Sequence, residues 1–247
     1  MKATRIMGVV TAVGVVVTSA LHAGEMKEDR TYRYYSHLGG GVNWLNLDDA
    51  NNVLEDEGLP ELAPFAGTVR LGMSVRKRRL VIGHEFDLLM WEERFAGGNR
   101  VSLWSGYWTF DAGYNVLDPR DGRWSVYPLL QLGAGMFKLK VAERKRSFDS
   151  MLSDPVRGHD FLQVTFLPGV GGAVEYRVKT RKEGKDVLIG LRAGYLFDPS
   201  TSDLWWDNGV EITGGPEPLL RGPYVHLVLG RGHHGPGKRF HKRGPGK

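Results

Sequence analysis

The sequence predicts an all-β chain: a closed, antiparallel, up-and-down eight-stranded β-barrel with one short helix in its first long connection. Two patterns carry that expectation. Apolar side chains recur at every second residue in eight separate segments, and successive side chains of a strand point to opposite faces. The connections between these segments alternate between short and long, as they do when an even-stranded meander has one short-turned end and one long-looped end. The length suits this count, since 247 residues with 34 Gly and 12 Pro fit a single domain of that kind.

The strands are read at 31–45, 66–76, 79–91, 100–117, 123–141, 160–180, 186–198 and 222–231. Segment 100–117 shows the pattern most plainly. Trp104, Trp108, Phe110, Ala112, Tyr114 and Val116 share one parity, while Ser105, Thr109, Asp111, Gly113 and Asn115 share the other. The short links are Lys77-Arg78, 118–122 and 181–185, and the long ones are 46–65, 92–99, 142–159 and 199–221. Pro128 and Pro168 fall inside strands, where the missing N–H removes a ladder bond; Pro168-Gly169 reads as a bulge. Loop 46–65 reads as a short helix with Leu47, Ala50, Val53 and Leu54 on one side and Gly58 and Pro60 as stop signals.

Several classes are excluded at once. The mean hydropathy is −0.30 and the one long apolar run is 6–21, so a polytopic helical membrane protein, which needs several runs of about 20 residues, is ruled out. With no Cys there are no disulfides, thiolate zinc sites or Cys nucleophiles. Lys2 and Arg5 precede the apolar stretch Ile6–Val17, and Thr18 to Ala23 follow it. This is the order of a secretory signal peptide, read at 1–23 with cleavage after Ala23 or Ala20. The formal charge of +5 is unevenly placed. Lys2 and Arg5 supply two positive charges and Arg231, Lys238, Arg239, Lys242, Arg243 and Lys247 supply six, so residues 24–230 carry a net −3. The basic pI therefore belongs to the ends, and no nucleic-acid partner is read from it.

The two faces have opposite chemistry. Arg70, Ser74, Glu85, Asp87, Asp111, Gln163, Thr165, Glu175, Arg177 and Arg192 share the polar parity, with His37 and His226 inward on the first and last strands. Inward glycines, Gly72, Gly133 and Gly194 among them, leave room for the long Arg and Glu side chains. An interior of eight strands is just filled by side chains, so these charges are expected to pair instead of lining a pore. The other face carries aromatic residues at two levels. Trp104 and Tyr114 lie ten residues apart, which at about 3.3 Å per residue and a tilt of about 45° spans roughly 25 Å, the height of a transmembrane apolar band. Trp44, Trp104, Tyr195 and Phe197 would form an outer girdle, and Tyr34, Tyr114, Trp124 and Tyr176 an inner one. Apolar residues outside and polar ones within make the barrel transmembrane, and closure satisfies the strand edges that hydrocarbon cannot.

Over residues 31–231 this pattern resembles the small eight-stranded outer-membrane barrels of the OmpA/OmpX type. The resemblance implies a Gram-negative envelope protein, exported to the cell outer membrane, in contact with its lipid and lipopolysaccharide. One departure stands out. Members of that family commonly end on an aromatic residue closing the last strand, whereas here Gly222–Gly230 is followed by a basic Gly/His/Lys-rich tail at 232–247. That tail reads as disordered and solvated, in preference to a contact with anionic polymer or lipid on the periplasmic side, with His233, His234 and His241 as weak metal ligands at most.

Motifs that carry chemistry are few. Asp48, Asp49, Glu55, Asp56, Glu57 and Glu61 make the first loop acidic, but their spacing fits no EF-hand, so a cap over the barrel mouth is preferred to a metal site. Gly39-Gly-Gly41 and Gly169-Val-Gly171-Gly172 are rejected as phosphate loops because no helix follows. Trp205-Trp206 reads as folded onto the rim in preference to a recognition tip. Neither Gly-x-Ser-x-Gly nor His-Glu-x-x-His occurs, and alternation sends His84 away from Glu85 and Asp87. His37 and His226 would be neighbours where the barrel closes, able with an inward carboxylate to form an acid–base group, though a plain polar plug is preferred. No cofactor, metal or catalytic residue is assigned. The reading is an integral outer-membrane barrel without an open pore, with a structural or surface-interaction role and an extracellular ligand at its long loops. The alternatives are a barrel enzyme acting on lipid or peptide, which would need a His–carboxylate group at the outer rim, and a soluble periplasmic barrel holding an apolar ligand inside.

Overall fold

The computed structural model describes residues 32–96, 98–117, 123–143, 159–180, 185–199, 205–207, 210–212, 215–217 and 220–234. The signal peptide and the tail beyond His234 lie outside the described residues. In chain order the elements are β1 (Tyr32–Trp44), α1 (Asp48–Asp56), β2 (Phe65–Lys77), β3 (Leu80–Ala96), β4 (Asn99–Tyr114), β5 (Trp124–Glu143), β6 (His159–Lys179), β7 (Lys185–Leu196), β8 (Trp205–Asp207), β9 (Val210–Ile212) and β10 (Gly222–His234). From β1 to β7 each strand pairs antiparallel with the next, and β10 pairs with both β7 and β1. Those eight strands close the barrel. The β8–β9 hairpin is an addition, laid against Phe161 and Leu162 of β6 beyond the point where β6 leaves β7. Trp206 thus folds onto the rim, paired with Leu162.

Alternation places the faces as the sequence implies. Arg70, Glu85, Asp87, Asp111, Glu175, Arg177, Arg192, His37 and His226 are all buried inside. Leu38, Leu71, Met73, Leu130, Leu132, Leu191, Leu227 and Leu229 are exposed outside. A soluble barrel with an apolar lumen would need the reverse parity, so that alternative is corrected. His84 points outward, exposed, away from Glu85 and Asp87.

Four expectations are revised. The link 92–99 is largely strand, since β3 runs to Ala96 and β4 begins at Asn99, with Gly98 at φ +86° turning the chain between them. Backbone pairing carries the strand on there, since Arg94↔Val101 and Phe95↔Arg100 continue the ladder past the barrel rim. The last strand extends past 231 to His234, because Arg33 and Tyr34 of β1 offer it ladder partners. Pro168 makes no bulge; the β5–β6 register is unbroken from Trp124↔Tyr176 to Val141↔His159. Both prolines escape the ladder cost in the same way. The Phe197 N–H donates to the Pro168 carbonyl, so the Pro168 nitrogen also faces β7, and the β6–β7 ladder stops at Gly169. Likewise the β4–β5 ladder stops at Leu129, one residue short of Pro128. Each missing N–H falls where a ladder has already ended. The fourth revision concerns the inward glycines, which make room for rings more than for long chains. A Cβ on Gly72 would lie 2.2 Å from the His37 ring, and one on Gly194 would lie 2.7 Å from the Tyr224 hydroxyl.

The lumen has two chemistries. Towards the short-turned end and at mid-height it is polar. At the long-looped end it is apolar, where Leu45, Leu89, Val101, Leu103, Phe137, Leu139, Leu167, Leu196 and Leu220 surround Leu47, Ala50, Leu54 and Leu62 of the first loop. Helix α1 is thus a stopper. Leu47, Ala50 and Leu54 fall within about 60° of one another at 100° per residue, whereas Val53 lies outside that stripe and is exposed, not buried with them. The acidic residues Asp48, Asp49, Glu55, Asp56, Glu57 and Glu61 all face out. Asn51 fastens the return, donating from Nδ2 to the Leu62 carbonyl (2.9 Å) and accepting at Oδ1 from the Leu62 N–H (2.9 Å).

Burial of one Leu contributes about 1.5–3 kcal/mol, and α1 is held by few such residues. Leu54→Asp should therefore release the helix while leaving the ladder closed. Hydrogen exchange checks this: α1 amides should lose protection and β1 and β10 amides should keep theirs.

Candidate functional site

Parity and register together assemble one connected set of charges inside the barrel. Arg192 on β7 stands at its centre. Its Nη2 donates to Glu175 Oε1 (3.1 Å) and to the Tyr127 hydroxyl (3.4 Å), its Nη1 pairs with Glu85, and Asp111 Oδ2 lies 3.8 Å from Nη1. Towards the turns, the Tyr127 hydroxyl donates to Glu175 Oε1 (2.5 Å) and Arg76 pairs with Glu175. The Arg76 guanidinium lies over the Tyr35 ring at 4.6 Å. Towards the loops, Arg70 donates from Nε to Asp87 Oδ1 (2.8 Å) and its Nη1 lies 2.5 Å from Glu85 Oε2. Above these, Gln131 bridges Asp111 (3.0 Å) and the Tyr224 hydroxyl (2.6 Å). Three guanidinium groups thus face four carboxylates, all close to fully buried. Removed from water, each charge is stabilised by its partners alone. Arg177 also points inward, nearer the turn end.

The two inward histidines are not neighbours, contrary to expectation. His226 pairs across the closing seam with Gly41, four residues along β1 from His37. His37 Nε2 lies 3.0 Å from Glu85 Oε1. His226 Nε2 donates instead to Asn43 Oδ1 (2.7 Å), which also accepts from Thr68 (2.9 Å), while Asn43 Nδ2 donates to the Tyr107 hydroxyl (2.8 Å). The ladder step, not the inward face they share, sets them apart. One small void of about 10 Å³ touches His37, Glu85, Asp111, Tyr127 and Arg192, room for at most one water. The set fills this part of the lumen.

Sequence reasoning overlooked Arg76, Tyr35, Tyr107, Tyr127, Tyr224 and Asn43. The signal was present in each case: Arg76 shares the parity of Arg70 and Ser74, and Tyr127 that of Gln131. A tyrosine suits either face of such a wall, so Tyr35, Tyr107, Tyr127 and Tyr224 are not singled out by polarity as the charged and small polar residues are.

The expected girdle residues all lie on the outer face. Tyr34, Trp44, Tyr114, Trp124, Tyr195 and Phe197 are exposed and Trp104 and Tyr176 half-buried. Trp124 and Tyr176 meet across β5–β6 with ring centroids 4.8 Å apart, and Tyr195 and Phe197 lie 5.0 Å apart.

At the outer rim β6 and β8 bring a second, accessible pair together. His159 Nδ1 lies 2.8 Å from Asp207 Oδ2, and the Asp160 N–H donates to Asp207 Oδ1 (3.2 Å). The hydrogen bond from His159 is the main cause that lowers the Asp207 pKa below the ordinary carboxylate range. Beside it Lys138 Nζ contacts Asp160 Oδ2 at 2.9 Å, and that hydrogen bond lowers the Asp160 pKa. No cluster of metal-ligating side chains occurs among the described residues.

No protein-family model matches the chain, and none of the curated proteins does. Among solved structures it is similar to a major outer membrane protein from Thermus thermophilus (10% identity, 83% of this chain and 99% of that one, TM-score 0.47). It is also similar to Ail of Yersinia pestis in complex with the heparin analogue sucrose octasulfate (11%, 84% and 100%, 0.41) and to the outer membrane protease OmpT from Escherichia coli (8%, 85% and 99%, 0.35). The likeness is one of architecture. The eight-stranded closure itself matches the fold that the sequence resemblance implied.

Removing one partner of a buried ion pair costs about 3–5 kcal/mol, whereas exposed pairs contribute about 0–1. Arg192→Met should therefore lower unfolding stability in urea by several times more than Glu93→Gln, which breaks the exposed pair of Glu93 with Arg100 (3.2 Å). For Asp207 the depressed pKa means that its contribution is present above the unfolded carboxylate value of about 4. It is lost as the pH falls through the lower folded value. Exchange of the β8 amides should accelerate only below about pH 4 and lose that step in Asp207→Asn.

Proposed function

We propose that the chain is an integral protein of the outer membrane of a Gram-negative cell, a sealed barrel that presents its capped mouth and long loops at the cell surface in a structural or binding role. One observation carries this reading: the outer face of the barrel is apolar all the way round. Exposed residues include Leu38 on β1, Leu71 on β2, Phe86 on β3, Leu130 on β5, Phe166 on β6, Leu191 on β7 and Leu227 on β10, and Phe110 of β4 shares that face. In water such a belt far exceeds the apolar patch of a few hundred Å² that soluble proteins tolerate. In a bilayer it meets hydrocarbon while the charges pair within. The aromatic pairs Trp124–Tyr176 and Tyr195–Phe197 support girdles at the two headgroup levels. Both described ends of the chain, Tyr32 and His234, lie at the short-turned end, which faces the periplasm in this arrangement. The charged plug and the stopper α1 argue against solute passage. Membrane lipid and lipopolysaccharide are the partners of the outer face, and an extracellular ligand that of the loops.

A second reading, a surface hydrolase acting on lipid or peptide, rests on the His159–Asp207 pair, an imidazole–carboxylate group at the outer rim. Its test is loss of hydrolysis in Asp207→Asn.

The primary reading is checked by fractionation and by gel mobility with and without boiling. The protein should remain with outer membranes and migrate anomalously until boiled. In planar bilayers it should give no stepwise conductance; release as a soluble protein overturns the proposal, and steady channels overturn the sealed interior.

A further inference from the structure

The two rims of the barrel carry charge differently. At the looped end, cations and acids meet on the outer face: Arg100 pairs with Glu93 (3.2 Å), and Lys138 (2.9 Å) and Lys140 (3.5 Å) with Asp160. At the short-turned end Lys77, Arg78, Arg79, Arg123, Lys179 and Arg231 are all exposed. Every described acidic side chain that is not buried lies at the looped end instead. By sequence, turns 118–122 and 181–184 carry −1 and +1, residues 24–31 carry −1 and residues 235–247 carry +5. They do not offset the excess.

Three cations of this end stand on the outer face of the wall itself, where the ladder closes. Lys185 on β7, Arg231 on β10 and Lys77 on β2 share the outward parity of Val187, Leu229 and Met73 on the same strands. In register, Lys185 lies opposite His233 and His233 opposite Tyr34, while Arg231 lies opposite Ser36. Arg231 is therefore a diagonal neighbour of Lys185, with Cα atoms about 7–8 Å apart, and the two side chains can reach one phosphate. Arg231 and Ser36 also sit one pleat nearer the apolar belt than His233 and the exposed Tyr34. The described residues give Arg231 and Lys185 no acidic partner, and an unpaired cation is destabilising on a lipid-facing wall. Lys77, over the Tyr32 ring at 5.2 Å, flanks the same stretch from β2.

We propose that this stretch of wall binds the phosphate of an anionic phospholipid in the periplasmic leaflet, phosphatidylglycerol being the simplest of the class. The inference rests on the reading that the outer face meets a bilayer with the short turns in the periplasm. Arg231 and Lys185 hold the phosphate oxygens by charge-assisted hydrogen bonds, with the Ser36 and Tyr34 hydroxyls beside them, and the acyl chains lie along Val187, Leu229 and Leu38. The missing acid selects an anionic headgroup, since the ammonium of a zwitterionic lipid would meet only further cations. Position selects lipid over cell-wall polymer. These side chains face sideways from the wall below exposed apolar residues, whereas a polymer in the periplasm would meet the turn residues Arg78 and Arg79.

The experiment gives the full chain, in non-ionic detergent, equal amounts of phosphatidylglycerol and phosphatidylcholine with matched acyl chains. Native mass spectrometry then counts the lipid retained. Phosphatidylglycerol should be retained roughly tenfold or more in preference to phosphatidylcholine. Arg231→Gln and Lys185→Gln should each lower that preference about fivefold, the contribution of one cation beside an anionic headgroup. Arg231→Lys should keep most of it, and Lys138→Gln, whose cation is already held by Asp160, should leave it unchanged. Equal retention of the two lipids overturns the proposal, as does equal loss in Lys138→Gln and Arg231→Gln. Sedimentation with purified peptidoglycan that Arg231→Gln abolishes, without any lipid preference, assigns the cations to a polymer and overturns it too. Boiling-dependent mobility reports barrel closure in each variant, and fractionation of the unmodified protein tests the membrane reading separately, so the two failures are distinguishable.

Discussion

Everything in this molecule depends on the closure of the ladder between its first and last strands. Arg33 to Asn43 of β1 pair with Tyr224 to His234 of β10, residues separated by almost the whole described chain. Without that seam, β1 and β10 would present unpaired N–H and C=O groups, each costly to leave without a partner away from water. With it, the backbone demand is met by the wall itself, and side chains are free to differ completely on its two faces. The apolar belt outside and the ion network inside are both permitted by that one condition.

The interior then solves a second problem. A lumen surrounded by eight strands must be filled, and the fill changes with height. At mid-height the walls supply Arg70, Arg76 and Arg192 against Glu85, Asp87, Asp111 and Glu175. Tyr35 and Tyr127 lie beside Arg76 as ring partners. At the looped end the walls supply leucines, and the filling comes from the first loop, which folds back as α1. The change follows from composition along the strands. On β3, inward Glu85 and Asp87 give way to Leu89, and on β4, inward Thr109 and Asp111 are preceded by Leu103 and Val101. A polar network and an apolar cluster therefore fill the same tube by different means, one by charge compensation and the other by exclusion of water.

How much of this was legible in the sequence follows from which physics is local. Period-two alternation is a local property, so strand existence, inward charges and the outward girdle residues could be read directly. Strand ends were less legible, because Gly98 turns β3 into β4 where charged residues looked like a loop, and β10 outlasts its apolar pattern on ladder bonds offered by β1. The separation of His37 and His226 was illegible for a different reason. Alternation states which face a residue occupies but not its height, and height depends on register with a strand almost two hundred residues away. The proline at 168 was misread because its cost depends on which neighbour its nitrogen faces, and that too is set by where a distant ladder stops.

The same distinction assigns a role to the buried charges beyond filling space. A slip of one residue between two strands would turn the slipped strand's exposed apolar residues inward and its buried charges outward, which dismantles the ion network at once. A slip of two residues keeps each side chain on its proper face, so the apolar belt cannot resist it. What such a slip breaks is partner matching. Arg70 opposite Asp87 on β2–β3 and Arg192 reaching Glu175 from β7 to β6 and Glu85 across the lumen hold only in the observed register. Displacement by one pleat on β2–β3 would set Arg70 opposite Leu89 with Asp87 opposite Gly72 in one direction, or Asp87 opposite Thr68 in the other, leaving a buried charge without its partner at a cost of several kcal/mol. The outer face thus fixes parity, and the ion network fixes height. Neither is sufficient alone, which gives the many charges of the interior a part in setting the register.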